Sequence, residues 1–148
     1  MSKNNIERSQ NLFRLDNKVI IITGALGLLG QKHVEVVAEN GGIPIILDID
    51  QKKVLFAAKK IEEMYHVPAM GLNVDITNEK KIIASCKKII KQYGHIDGLV
   101  NNAANNPKVE DSEGLNSSMR SGLQEDFSGS KFENFLMKNI FRDMPQVY

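Results

Sequence analysis

Short β-branched runs alternate with helical patterns along most of the chain. The run at 19–22 consists of Val-Ile-Ile-Ile, and a continuous run of this kind indicates a strand buried on both faces. Further strand patterns lie at 43–47, 69–74 and 98–100, with helical patterns between them at 28–40, 51–65 and 78–93. This alternation predicts βαβ units, and therefore a parallel sheet with right-handed crossovers. The predicted fold class is α/β, with a doubly wound parallel sheet of about four strands.

The ends of the helical patterns carry residues that start or stop helices. Gly41 and Gly94 follow the first and third helices, where a glycine commonly adopts a left-handed conformation. Thr77 is predicted to cap the third helix, because its hydroxyl can accept a hydrogen bond from a free backbone N–H. Pro44 lies in the second strand pattern, where it is tolerated only near the start of the strand.

The length of 148 residues fits one domain with its own core. We expect a polar N-terminal segment at 1–16 and a domain at 17–148. Residues 105–130 show no sustained period and are predicted to form a long loop, which in a compact domain is usually functional or disordered. A terminal helix is predicted at 131–144, where the helical pattern returns.

Composition excludes several classes of partner. Lys and Arg together number 19 and Asp and Glu 18, and no basic stripe suggests a nucleic-acid surface. No segment approaches the roughly 18 apolar residues of a membrane span, and the N-terminus has no signal-peptide core. Cys86 is the one cysteine and is interpreted as a buried apolar residue in a reducing compartment. A cytoplasmic protein is therefore expected.

A glycine-rich turn follows the first strand. Thr-Gly-Ala-Leu-Gly-Leu-Leu-Gly at 23–30 places Gly24, Gly27 and Gly30 between a buried strand and a helix. Such glycines permit a tight turn, the close approach of a pyrophosphate and tight helix–strand contact. The start of the helix adds free N–H groups and partial positive charge. The turn therefore predicts a dinucleotide-binding site.

Asp48 ends the second strand pattern, 24 residues after Gly24. A carboxylate at this point can accept hydrogen bonds from both ribose hydroxyls of adenosine, and it would repel the 2′-phosphate of NADP. NAD is therefore the predicted cofactor. Asp50 is the competing acid, but it is better interpreted as the N-cap of the following helix.

Two polar segments follow the third and fourth strand patterns. Asp75 and Ile76 come after the third, and Asn101, Asn102 and Ala103 come after the fourth. Ligands of open α/β sheets lie at the carboxyl ends of the strands, so these segments should meet the glycine turn there. Asn101 is expected to hold the strand ends together and to lie against the cofactor, with a purely structural role for the asparagine pair as the alternative.

Together, the glycine turn, the acid after the second strand, the Asp-Ile pair and the Asn-Asn-Ala segment resemble the short-chain dehydrogenase/reductase family. The resemblance covers about 13–104, with 131–144 as the next helix, and it implies a Rossmann-like sheet in the order 3-2-1-4. It also implies that the glycines face the phosphates and that Asp75 and Ile76 flank the adenine. The implied cofactor-binding residues are Thr23, Gly24, Gly27, Leu28, Leu29, Gly30, Asp48, Ile49, Asp75, Ile76, Asn101, Asn102 and Ala103.

Two features depart from the common pattern of that family. Gly27 and Leu28 stand where most short members have a non-glycine residue followed by glycine, so the spacing resembles the extended branch. The Asn-Asn-Ala segment nevertheless resembles the shorter branch. The polar insert after Ala104, followed by Phe-Glu-Asn-Phe at 132–135, is similar to members found in bacterial surface-sugar and flagellin-glycan pathways.

The catalytic group of the family comprises a Ser on a fifth strand, a Tyr-x-x-x-Lys motif and an Asn in the helix after the fourth strand. None of Tyr65, Tyr93 and Tyr148 has a Lys four residues later. We therefore assign no catalytic residue and expect this chain alone to be inactive in NAD-dependent hydride transfer on alcohols or ketones. The spacing of the three histidines matches no metal site.

The sequence favours a truncated or degenerate NAD-binding half-domain of oxidoreductase descent. One alternative is an active oxidoreductase completed by a second chain that supplies the C-terminal half. Another is a methyltransferase-like nucleotide binder, which also uses a glycine loop and an acid after the second strand. The third is a non-catalytic interaction protein. Besides the dinucleotide, the expected partners are a second copy, through an exposed sheet edge, or the completing chain.

Overall fold

The structure, a computed structural model, describes residues 13–104. Four parallel strands alternate there with three helices. The order along the chain is β1 (Val19–Thr23), α1 (Leu28–Glu39), β2 (Ile43–Asp48), α2 (Gln51–Tyr65), β3 (Met70–Asn73), α3 (Glu79–Tyr93) and β4 (Gly98–Val100). The sheet order is β3-β2-β1-β4, which confirms the predicted α/β fold and its strand order. The predicted loop at 105–130, the helix at 131–144 and residues 1–12 of the polar segment lie outside the described residues.

Two hydrophobic clusters cover the two faces of the sheet. Alternate residues of a strand point to opposite faces, so Ile21 packs against α3 whereas Ile22 packs against α1 and α2. Both side chains are fully buried. This arrangement explains the continuous β-branched run of β1, because a strand covered by helices on both faces has no polar side.

Pro44 is the second residue of β2, close to the strand start as predicted. The N–H of Ile43 donates to the carbonyl of Lys18 on the β1 side, so the nitrogen of Pro44 faces the β3 side. There β3 begins at Met70, which lies opposite Ile45. The proline therefore removes no hydrogen bond from the ladder.

The N-cap of α3 is Asn78, so the prediction of Thr77 is wrong by one residue. The side chain of Asn78 accepts a hydrogen bond from the N–H of Lys81. Thr77 instead donates its N–H and its hydroxyl to Asp75 Oδ1, at 2.9 and 2.7 Å. The hydroxyl of Thr77 points back to the preceding turn because the aspartate two residues earlier is a charged acceptor. Gly94 ends the helix with φ +84°, as predicted.

Asp97 ties the turn before β4 to the start of β1. Its Oδ2 accepts from the N–H of Val19 at 2.8 Å, and its Oδ1 pairs with Lys18 Nζ at 3.0 Å. His95 Nε2 lies 3.1 Å from Oδ2. Burial alone would raise the pKa of Asp97, but the hydrogen bonds from Val19 and Lys18, together with His95, hold it below the ordinary value.

We expect Asp97→Asn to lower the free energy of unfolding by about 1–3 kcal/mol at pH 7, because the amide offers one neutral oxygen acceptor where the carboxylate offers two charged ones to Val19 and Lys18. A depressed pKa stabilises the fold above the ordinary carboxyl pKa of about 4 and loses this effect as the pH falls through the lowered value. Urea unfolding at pH 7 and pH 3 should therefore show a smaller difference between variant and wild type at pH 3. Asp16→Asn, at an exposed ion pair with Arg14, is the control and should change stability far less. A difference that grows in acid would contradict the assignment.

None of the helices within 13–104 combines the length and the hydropathy needed to cross a membrane.

Candidate functional site

A cleft of about 750 Å³ lies at the carboxyl ends of the strands. All of the predicted cofactor-binding residues line it except Thr23, Gly30 and Asn101. Three lining residues were missed by the sequence analysis: Leu26, Val74 and Ala104. Each is the immediate neighbour of a predicted residue, so contiguity with the motifs was the available signal. The topology thus brings the four segments together at one edge of the sheet, as expected for an open α/β fold.

Two of the three motif glycines are required by close backbone contacts. Gly24 has φ +58°, and a Cβ there would lie 2.8 Å from the Cα of Ala103. A Cβ on Gly30 would lie 2.3 Å from the carbonyl oxygen of Gly24. Both distances are too short for a side chain, so these glycines let α1 and the segment after β4 pack on the turn.

Gly27 differs from the other two glycines. It is the N-cap of α1 with φ −69°, a backbone conformation open to any residue. A Cβ there would approach one described atom within 4 Å, the carbonyl oxygen of Gly24 at 3.3 Å. The backbone conformation therefore does not demand glycine, and a Cβ would need only a shift of a few tenths of an ångström at that oxygen. Gly27 itself lines the cleft.

The first turn of α1, beside the cleft, has backbone donors without partners in the helix. The first intrahelical hydrogen bond runs from the N–H of Gln31 to the carbonyl of Gly27, and none of the side chains that the structure describes caps the helix. The N–H groups of Leu28, Leu29 and Gly30 consequently have no partner within the helix. An anion such as a phosphate is favoured at this position by the donors and by the helix dipole.

Asp48, at the end of β2, places a carboxylate in the cleft. Oδ2 accepts from the N–H of Leu26 at 3.0 Å, and Oδ1 accepts from the N–H of Ile49 at 2.8 Å. Asp50 does not line the cleft; its side chain accepts from the N–H of Lys53 and caps α2, which confirms the interpretation of Asp50 as an N-cap.

Asp75 provides the second carboxylate of the cleft. The hydroxyl and the N–H of Thr77 both donate to it, and these bonds hold the pKa of Asp75 below its ordinary value. Hydrogen bonds to the charged form favour that form, so Asp75 is ionised at neutral pH. The cleft therefore combines two acidic side chains with the positive end of a helix.

A network around Thr23 joins β1 to the segment after β4. The buried Thr23 hydroxyl accepts from the N–H groups of Asn102 and Ala103, each at 3.0 Å, and donates to the carbonyl of Val100 at 3.3 Å. Asn102 Nδ2 donates to the carbonyl oxygens of Thr23 and Gly24. The tie between strand ends that was expected of Asn101 is thus made by Asn102, while Asn101 is exposed.

Other reactive groups lie away from the cleft. Cys86 is buried on α3, and burial raises the pKa of its thiol to about 11. Its thiolate is therefore scarce at neutral pH, in keeping with an apolar packing role. Within the described residues, no group of three or more His, Cys, Asp or Glu side chains could hold a metal ion.

Known proteins of similar sequence include the post-translational flagellin modification protein A of Campylobacter coli, 28% identical over 60% of this chain and 35% of that protein. Galactitol 2-dehydrogenase of Agrobacterium fabrum is 37% identical over 62% of this chain and 34% of its own length. The chain thus spans about a third of the length of these relatives.

Solved structures resemble the described fold. NAD⁺-bound xylitol dehydrogenase matches with a TM-score of 0.58 and 30% identity, over 62% of this chain and 35% of that one. The NADPH-dependent 3-quinuclidinone reductase of Rhodotorula rubra shares the fold with a TM-score of 0.60 and 22% identity, over 66% and 39%. Proteins of this fold therefore include both NAD and NADP users. The family model for the short chain dehydrogenases matches residues 18–140, so this chain belongs to that family of NAD(P)-dependent oxidoreductases.

Proposed function

We propose that the chain binds NAD(H), in preference to NADP(H), in the cleft at the carboxyl ends of the strands. The observation that carries this proposal is the juxtaposition of the unpaired N–H groups of α1 with the carboxylate of Asp48 across one cleft. Donors for a pyrophosphate and acceptors for a ribose are the two polar requirements of a dinucleotide site in this fold. The NAD⁺ bound to the similar xylitol dehydrogenase supports the same cofactor class.

Each part of the cofactor has a candidate contact among the lining residues. The pyrophosphate would lie at Gly27 and the first turn of α1, and the adenosine ribose at Asp48. The adenine would lie against Ile49, which is 74% exposed, and beside Asp75 and Ile76. Apolar side chains in this region would cover the faces of the base, as is usual for sites that hold a flat ring.

We further propose that the whole protein is an oxidoreductase for which this chain supplies cofactor binding. The bound nicotinamide supplies the hydride acceptor or donor. The described residues would bind the adenosine and the pyrophosphate of the cofactor. No Tyr-x-x-x-Lys pair occurs in the 148 residues to act as the proton-transferring group. Similar proteins include, by name, a galactitol 2-dehydrogenase, a 3-hydroxy acid dehydrogenase and a 12alpha-hydroxysteroid dehydrogenase, which supports an alcohol or a ketone as the substrate class.

Gly27→Ala tests the cofactor site without disturbing the fold. We expect the variant to melt within a few degrees of the wild type, since its φ is ordinary and its closest contact, at 3.3 Å, needs a small shift. NADH binding should weaken at least about tenfold, because the methyl group occupies the space through which the phosphates approach the backbone. Calorimetric titration with NADH measures this loss, and thermal melting provides the control. An unchanged affinity for NADH would mean that the phosphates do not lie at Gly27, or that NADH binds outside the cleft.

A second candidate function concerns the outer edge of β4. Within the described residues, Gly98–Val100 pairs with β1 alone, and all three residues are half-buried. An unpaired strand edge is a template for another strand. We propose that this edge pairs with a strand of a second copy or of a partner chain.

The edge predicts self-association of the purified chain. Size-exclusion chromatography with light scattering should show a mass that rises with concentration, because pairing of β4 between copies is bimolecular. A sharp monomer peak whose mass is independent of concentration, together with cooperative melting, would mean that the edge is already covered.

A further inference from the structure

We infer that Asp48 holds the glycine turn in its phosphate-binding conformation in addition to contacting the ribose, so that the two halves of adenosine diphosphate recognition are coupled through one side chain. This inference rests on the proposed function, because it assumes that the cleft takes an adenine nucleotide. It assigns to Asp48 a positioning role toward the pyrophosphate, which it does not itself touch.

The first support is the set of partners for the N–H groups of the turn between Gly24 and α1. The N–H of Ala25 donates to the carbonyl of Leu47 at 3.2 Å, and the N–H of Gly27 donates to the carbonyl of Gly24 at 3.1 Å. The N–H of Leu26, between them, donates to Asp48 Oδ2 at 3.0 Å. The middle of the turn is therefore anchored through a side chain, whereas its two flanks are anchored through backbone.

The second support is the position of Leu26. It immediately precedes Gly27, the N-cap of α1, and it lines the cleft. Movement of its backbone therefore displaces the start of α1, where the unpaired donors lie. A charge-assisted hydrogen bond is stronger than a neutral one, so the carboxylate is an effective anchor for this point.

The third support is the spare capacity of the carboxylate. The two oxygens of a carboxylate offer about four acceptor positions. Backbone N–H groups occupy one position on each oxygen, from Leu26 and from Ile49. The remaining positions can accept the two ribose hydroxyls without releasing the turn. Asp48 can thus accept hydrogen bonds from the turn and from the ribose at the same time.

The test separates the two roles with two nucleotides, ADP and 2′,3′-dideoxy-ADP, which lacks both ribose hydroxyls. Calorimetric titration of the full chain compares wild type, Asp48→Ala, Asp48→Asn and the control Asp50→Ala, whose carboxylate lies outside the cleft. Amide hydrogen exchange at Leu26 is measured in the same four proteins without nucleotide, and thermal melting shows that each is folded.

We expect Asp48→Ala to bind dideoxy-ADP about five- to tenfold more weakly than the wild type, since the anchor of the turn is lost although no ribose contact exists. Asp48→Asn keeps one carbonyl acceptor and should restore dideoxy-ADP binding to within about twofold, while ADP binding stays weakened. Exchange of the Leu26 amide should accelerate in Asp48→Ala and remain near the wild-type rate in Asp50→Ala.

Two results would overturn the inference. The first is an Asp48→Ala variant that binds dideoxy-ADP as tightly as the wild type does, which would mean that Asp48 contributes to binding only through the ribose. The second is unchanged exchange at Leu26, which would show that the side chain does not hold the turn. A wild-type chain that binds neither nucleotide overturns the proposed function instead, and the exchange measurement still decides whether Asp48 anchors the turn.

Discussion

Gly30→Ala is expected to lower the free energy of unfolding by about 2–4 kcal/mol, because the new Cβ meets backbone atoms that cannot rotate away. It would lie 2.3 Å from the carbonyl oxygen of Gly24 and 2.7 Å from the Cα of Ala25. Alanine in place of a glycine in the middle of a helix ordinarily gains about 0.5–1 kcal/mol. Gly30 lies in the first turn of α1, so the gain there is no larger, and a net loss requires only that the clash exceed it. Since relief of the clash moves α1 away from the turn, NADH binding should fall with stability.

Denaturant unfolding measures this loss, and Gly94→Ala is the matched control. Gly94 lies at the end of α3 with φ +84°, but a Cβ there would have no atom of residues 13–104 within 4 Å. Its replacement should therefore cost only the left-handed strain of about 1–2 kcal/mol. A Gly30→Ala protein as stable as the wild type would contradict the close packing of α1 on the turn.

The fold was predictable because the local and the global signals agree. The run of β1 lacks polar residues, and it lies between clusters on both faces. The bounds of the strands were less predictable, because a strand extends only as far as its neighbour pairs with it. β3 covers Met70–Asn73, the residues that pair with β2. The sequence pattern at 69–74 does not indicate which of these residues pair with β2.

The segments that line the cleft were predictable, and its individual hydrogen bonds were less so. Adjacent residues of one type, such as Asn101 and Asn102, have the same propensities, and the direction of the backbone after β4 decides which side chain turns toward Thr23. The anchoring of Leu26 by Asp48 was also hidden, because a backbone donor has no sequence signature. In both cases the sequence motif was identified correctly, and what it did not reveal was the hydrogen bonding within the motif.

Asp48 should make the chain bind NADH at least about tenfold more tightly than NADPH. The carboxylate lies at the end of β2, where the adenosine ribose is proposed to sit, and a 2′-phosphate beside it is a like-charge contact that costs several kcal/mol. Calorimetric titration with both cofactors gives the ratio of the dissociation constants. Asp48→Ala should reduce that ratio from both sides, by weakening NADH binding and by removing the repulsion of NADPH.

The dependence on ionic strength shows whether the preference for NADH arises from charge repulsion or from steric fit. A repulsion between exposed charges is screened at high salt, where the Debye length falls from about 10 Å at 0.1 M to about 3 Å at 1 M. The preference of the wild type for NADH should therefore shrink as salt is added, whereas the smaller ratio of Asp48→Ala should barely change. Asp50→Ala, at the N-cap of α2 and outside the cleft, should keep the wild-type ratio. Equal or tighter binding of NADPH by the wild type would contradict the role given to Asp48, and it would require a cation near the ribose to offset this carboxylate.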